Sequence, residues 1–340
     1  MTSSDVTYTS YDDLHAHPGV VDKVLALLDE VREHDDVAAL SEAFVRAIRE
    51  DHGYRFVVAS EGEPEEGPAI GVLGVDEVHT VELTVFPARR HCGIGRGLFE
   101  AAGRELGLSG VIDVWAHGDS PSAQKLVEAL GGRRTRELLK MAVRCEPGSA
   151  QRDDFVQAEE KARAAIGDQE VEILTYPQAA EAYGEEFVDQ EWVRVNNEAF
   201  AWHPEQGGWD TARLVSARET DWYRPEGVWM LWATDEVNQE PRCLGFHWTK
   251  VPPEEREKPA GERAGEVYVV CLADEARGRG LGGTISLIGM GSLLEQGAGV
   301  IELYVEGDNA PAVATYRRLG FEVVHTDVVY RGDIDAVIGE

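Results

Sequence analysis

The sequence predicts an α/β fold (α+β, mixed sheet) made of two tandem domains, each a mixed β-sheet flanked by helices. Three observations lead there. A chain of 340 residues is long for one core and comfortable for two domains of about 150 residues each. A strand, a glycine turn and a helix recur in the same order at a spacing of 187 to 189 residues, the mark of a duplicated domain. Short apolar runs alternate with helically periodic segments, as expected where helices cover a sheet.

Taken in order, residues 19–33 carry apolar side chains at 21, 24, 25, 28 and 31, the spacing of an amphipathic helix, and a second helix is expected over 39–50. Residues 54–60 and 69–75 read as strands on either side of an acidic Gly/Pro loop. The strand at Val81 runs into Arg90-x-x-Gly93-x-Gly95 and a helix. At a distance of 187 residues, the apolar run 267–272 leads into Arg277-x-x-Gly280-x-Gly282 and a helix with Leu281, Ile285 and Ile288 on one face. Val111–Trp115 and Leu130-Gly131 recur 189 residues later as Val300–Tyr304 and Leu319-Gly320. The turn-rich stretch 145–154 and the charged, Ala-rich residues after it suggest a linker at 148–168 between domains 1–147 and 169–340. The second copy then shows a long helical region to Phe200, a loop at 203–209, and strands at 228–233 and 243–250. After the repeated turn come a strand at 300–306, a helix at 309–319 and a last strand at 321–330.

Composition excludes several function classes. Hydrophobic content of 43% and charged content of 28% are ordinary for a globular protein. A formal net charge of −31 repels nucleic acid and anionic membranes, so neither is an expected partner. Cys92, Cys145, Cys243 and Cys271 are scattered without a Cys-x-x-Cys pair, so no metal site and no disulfide framework is expected. That usage, no signal-like start and no apolar run near the roughly 18 residues of a membrane span lead to the expectation of a cytoplasmic protein; a monomer is expected, although nothing in the sequence gives the oligomeric state.

The glycine turn is where chemistry concentrates. Glycines allow the backbone to approach a ligand, and the first amides of the following helix lack partners within it; with the positive end of the helix dipole they suit a pyrophosphate. A single such turn is usually only a tight connection. This one differs from both the dinucleotide and the Walker patterns, and it occurs twice. Arg89, Arg90, Arg277 and Arg279 supply local positive charge against the acidic whole. Glu266, at the start of the strand entering the second turn, is either an exposed strand-end carboxylate or a general base for an attacking amine. Tyr316 follows Asn309 at helical spacing with Val313 and Leu319, so it is either a packed tyrosine or a general acid for a departing thiolate. In the first copy the positions of Glu266 and Tyr316 hold His79 and Val127. Valine cannot donate a proton, so the first copy is expected to bind ligand without catalysing transfer. Glu205 and Lys250 are further candidates, each with the alternative of ordinary solvated charge.

The pattern Arg/Gln-x-x-Gly-x-Gly/Ala resembles the pyrophosphate loop of GNAT acetyltransferases. Val195–Trp209, Leu244–Lys250, Gly265–Tyr268 and Leu303–Asn309 are similar to the mycothiol synthase family of tandem GNAT enzymes. The resemblance runs through both halves, is densest in the second, and implies acetyl transfer from acetyl-CoA, as co-substrate, to the cysteinyl amine of desacetylmycothiol. Substrate contacts would then fall on Glu42, Glu205, Lys250, Glu266 and Tyr304, with Glu266 and Tyr316 catalytic. Acetyl-CoA contacts would fall on Val270, Cys271 and Leu272, on Arg277-Gly278-Arg279-Gly280-Leu281-Gly282-Gly283, and on Asn309-Ala310-Pro311-Ala312-Val313-Ala314. First-copy counterparts are Leu83, Thr84 and Val85 with His91-Cys92-Gly93-Ile94-Gly95-Arg96, where His91-Cys92 departs from the usual basic residues. An α-amine titrates near pH 8, so neutralising it costs only about 1.4 kcal/mol, within reach of a carboxylate base. A backbone N–H near residue 270 is the expected oxyanion donor, and no covalent enzyme intermediate is required. Two alternatives stay open: transfer to another small amine or a protein N-terminus, and a non-catalytic acetyl-CoA sensor.

Overall fold

The computed structural model describes residues 6–129, 131–167, 170–201, 206–234 and 239–338. In chain order the first half contains β1 (Val6–Tyr11), α1 (Pro18–Asp35), α2 (Glu42–Arg49), β2 (Arg55–Glu61), β3 (Ala69–Val75), β4 (Thr80–Val85), α3 (Ile94–Glu105), β5 (Val111–Ala116), α4 (Pro121–Ala129) and β6 (Arg133–Arg144). Then follow α5 (Ala150–Gly167), β7 (Glu172–Thr175), α6 (Tyr176–Tyr183), α7 (Glu185–Phe200), α8 (Thr211–Arg218), β8 (Val228–Thr234) and β9 (Pro241–Lys250). The chain closes with α9 (Pro253–Glu257), β10 (Arg263–Leu272), α10 (Leu281–Glu295), β11 (Ala298–Glu306), α11 (Ala310–Arg318), β12 (Glu322–Asp333) and α12 (Asp335–Ile338).

Two compact units result, and they are not the contiguous segments 1–147 and 169–340. The first comprises residues 1–139, 306–310 and 325–340, the second 140–305 and 311–324. The sheet of the first unit runs β1-β2-β3-β4-β5 and is completed by residues 328–333 of β12, antiparallel to β5. The sheet of the second runs β7-β8-β9-β10-β11 and continues into the end of β6, with the Cys145 amide donating to Gly299 O at 2.7 Å. The sixth strand of each sheet thus comes from the other repeat. The repeated sequence could not show this, because β6 and β12 are equivalent strands and either can pair with either neighbour. The stretch expected as a linker is the helix α5, packed against α10 and belonging to the second unit.

In the first unit, period-two alternation divides the core into two layers. Val57 and Ala59 of β2 face α3, with Leu98, Phe99 and Ala102, while Phe56 and Val58 face α1 and α2, with Val24, Leu28 and Phe44. In the second unit, Val188, Trp192 and Val195 of α7 and Leu281, Ile285 and Ile288 of α10 cover β8 to β10. Buried residues occur on every side of α10, as a helix enclosed between the sheet and α5 requires. At Gly289 there is no room for a side chain: a Cβ there would lie 2.1 Å from Nδ1 of His247. His247 is fully buried, donates from Nδ1 to Ile285 O at 3.0 Å, and is held neutral because burial pushes its pKa down to about 4. Among the described residues no helix is long and apolar enough to cross a membrane.

Candidate active site

In the second unit the strand that carries Glu266, Val270, Cys271 and Leu272 has an interrupted ladder. β10 and β11 are parallel neighbours whose ladder runs through Glu266–Glu302 to Val267–Leu303 and stops, while β10 continues to Leu272 and β11 to Glu306. The pairing of β10 with β9 also shifts between Val267 and Val269, leaving Tyr268 as an extra residue on one strand, a bulge that turns β10. Past this point β10 makes no further ladder pair with β11, and a strand edge left in this way is one on which an extended ligand can be held as a strand would be. Val270, Cys271 and Leu272 line that edge. Burial pushes the Cys271 thiol well above its ordinary range, so it is not a thiolate nucleophile.

The glycine turn follows directly. Gly278 and Gly280 have φ of 77° and 78°, the left-handed region, and Gly280 caps the 15-residue helix α10. The amides of Leu281, Gly282 and Gly283 are those of the first turn, with no partner inside the helix. A Cβ on Gly283 would meet nothing within 4 Å, so the surface there is open. Arg277 pairs with Asp274 at 3.0 Å. Asn309, Pro311 and Ala314 are exposed at the start of α11 and Val313 is buried beneath them.

Glu266 sits one residue before the ladder stops. Lys250 is its cross-strand neighbour on β9, with Nζ 3.5 Å from Glu266 Oε2 and over the rings of Trp222 (5.3 Å) and Tyr268 (5.6 Å). On β11, Glu302 is in register with Glu266, and its Oε2 is 2.7 Å from Nζ of Lys140. Tyr304, 44% exposed, lies two residues along the same face, under Lys140 Nζ at 5.9 Å. Across four strands the side chains therefore read Lys250, Glu266, Glu302, Lys140. Tyr316, half-buried on α11, packs edge-to-face on Phe321, and burial pushes its phenol up to about 12. Glu205 lies outside the described residues. Glu42 is exposed at the start of α2 in the first unit. The sequence reading missed Glu302 and Lys140; alternation along β11 puts Glu302 on the face of Tyr304, whereas Lys140 depends on the strand exchange.

The first unit repeats the interruption. Its β4–β5 ladder stops at Glu82–Trp115, and β4 continues to Val85. A cavity of about 460 Å³ opens there, lined by Leu83, Thr84 and Val85 from β4 and by His91, Gly93, Ile94, Gly95 and Arg96 from the turn and α3. Cys92 is exposed beside it. Gly93 caps α3 with φ 83°, and His91 takes φ 60° where the second copy has Gly278. Arg90 is engaged structurally, bidentate to Asp35 at 3.0 and 2.5 Å, and Arg89 pairs with Glu61. Buried Val127 lines the cavity at the position of Tyr316. An unforeseen cluster adjoins the cavity through His117, one of its lining residues: His117 lies 3.3 Å from Glu82 Oε2 and 3.5 Å from Asp327 Oδ1, and Asp327 also contacts His325 at 2.6 Å. Burial opposes charge on His117, but Asp327 and Glu82 outweigh it and hold its pKa at about 10. Burial likewise opposes charge on Asp327, yet His117 and His325 hold that carboxyl far below its usual range.

The Acetyltransferase (GNAT) family matches residues 192–321. The chain is 54% identical over 340 residues to "Mycothiol acetyltransferase" of Corynebacterium urealyticum, covering 97% of this chain and 99% of that one. It is 54% identical over 345 residues to the protein of the same name in Corynebacterium jeikeium, covering 96% and 99%. Among solved structures, a tandem GNAT protein from the clavulanic acid biosynthesis pathway superposes with a TM-score of 0.64 at 18% identity, over 97% of this chain and 99% of that one, a likeness of fold.

Proposed function

The chain belongs to the mycothiol acetyltransferase family of tandem GNAT enzymes, whose donor is acetyl-CoA, and on that premise we propose that its second unit acetylates the cysteinyl amine of desacetylmycothiol, with Glu266 as base and Tyr316 as acid. One observation supports the assignment: Glu266 lies one residue before the β10–β11 ladder ends. The pyrophosphate of acetyl-CoA rests on the amides of Leu281 to Gly283 and the pantetheine lies along residues 270–272. The thioester carbonyl takes a hydrogen bond from a main-chain N–H of β10.

The amine reaches Glu266 among Lys250 and Tyr304, as expected of a polar acceptor; Glu205 is proposed as a further contact. Glu266 takes the ammonium proton, directly or through water. The nitrogen lone pair attacks the carbonyl carbon and the nitrogen becomes cationic; as the tetrahedral intermediate collapses the C–S bond breaks, the sulfur receives a proton from Tyr316, and the second proton leaving the nitrogen restores the phenol through water. A phenol held at about 12 stays protonated across the working range, so a donor is always present. In the first unit the cavity and glycine cap support acetyl-CoA binding, while Val127 supplies no acid.

The test is acetyl transfer by the purified protein to cysteinyl-glucosaminyl-inositol beside a panel of amines. Turnover confined to the thiol-bearing acceptor is expected, with kcat lowered about 100-fold in Glu266→Gln and in Tyr316→Phe while acetyl-CoA still binds. No turnover of that acceptor, or unchanged kcat in both variants, rejects the reading.

A further inference from the structure

We infer that the Lys140–Glu302 ion pair is a positioning device for Glu266, setting the field in which the base accepts its proton. The inference rests on Glu266 being the base. Parallel strands place in-register residues about 4.8 Å apart with side chains on the same face, so Glu302 is the nearest carboxylate that β11 can bring to Glu266. Two anions at that separation disfavour each other's charge. The sheet answers with one cation for each: Lys250 from β9 for Glu266, and Lys140 from β6 for Glu302.

The pair is not incidental surface charge. Lys140 and Glu302 are each 26% exposed, Glu266 18% and Lys250 12%, so the row is largely withdrawn from water. Aromatic rings and one further lysine lie near the row. Tyr268 and Trp222 lie beneath Lys250, and Tyr304 lies beneath Lys140. Lys258 feels Glu302 but is committed to Glu255 at 2.7 Å, and the second oxygen of Glu255 accepts from the Ala264 amide. Lys140 therefore engages Glu302 and turns its carboxylate toward β6, while Lys250 faces Glu266 from the other side. The carboxylate that receives the proton is then neither starved of basicity by a surplus cation nor forced to protonate by a bare anion.

This arrangement predicts opposite effects from removing the two partners. Glu302→Gln leaves the Lys140 ammonium uncompensated beside Glu266, and the acid limb of the single-turnover rate against pH moves down by about half a unit, with a lower plateau. Lys140→Met leaves Glu302 bare, and the limb moves up by about the same amount. The double variant returns near the wild-type profile. The measurement is single-turnover acetyl transfer at saturating acetyl-CoA and acceptor, with thermal unfolding of each variant as the control on folding; Lys140→Arg, which keeps the charge, restores the wild-type limb should Lys140→Met be poorly folded. Limbs that do not move, or that move in the same direction, overturn the inference. A Glu266→Gln variant with wild-type rate is a different failure, since it removes the base itself.

Discussion

Replacing His117 by Gln should cost stability in a pH-dependent way, and the sign follows from which state holds the proton. In the folded chain the imidazole is held at about 10; unfolded, it titrates near about 6.5. Between those values the folded chain keeps a proton that the unfolded chain has released. The contribution is therefore complete below about pH 6.5 and is lost as pH rises through about 10. At about 1.4 kcal/mol per pH unit, that interval bounds it at about 5 kcal/mol. The side chain is 16% exposed, so water reaches the cluster, and Asp327 keeps His325 in the variant. A net loss of about 2 to 3 kcal/mol at pH 6, shrinking below about 1 kcal/mol at pH 9.5, is expected. Urea unfolding of both proteins at a series of pH values measures it, and because Gln does not titrate, the difference isolates His117. A difference constant from about pH 6 to 9.5, or one that grows with pH, would refute the reasoning, because a neutral imidazole merely hydrogen-bonded in place would behave that way.

Gly280→Ala places a side chain at φ 78° where a Cβ meets no atom within 4 Å, so only the backbone is strained; a KM for acetyl-CoA raised about fivefold, with kcat nearly unchanged, is expected from about 1 kcal/mol of that strain. An unaltered KM would show that the cap does not shape the site. Gly289→Ala drives a methyl to 2.1 Å from the His247 ring, which its bond to Ile285 holds in place. Thermal denaturation should show a loss of about 2 kcal/mol or more, despite the better helix propensity of alanine.

Much of this was legible in the sequence because the physics is local. The turn at Gly280 and its copy at Gly93 stand out because only glycine takes those φ values cheaply, and the apolar run 267–272 marks β10 as a strand. Segments whose conformation depends on distant partners were not legible. Residues 172–175 were expected as part of a helix yet form β7, an edge strand made by pairing with β8. β1 carries polar and aromatic residues in no decisive period and is a strand because β2 offers it a ladder. Lys140 escaped notice because its partner arises from a β6–β11 neighbourhood that no local pattern encodes, and His117 because Asp327 lies 210 positions further along.

The exchange of final strands constrains how this chain can be cut or built. A polypeptide ending before residue 325 lacks the strand that β5 pairs with, exposing its N–H and C=O groups as an open template for aggregation. A polypeptide starting after residue 144 strips β11 in the same way. Neither repeat is a portable module, and a ribosome must release nearly the whole chain before the earlier repeat can seal its own edge.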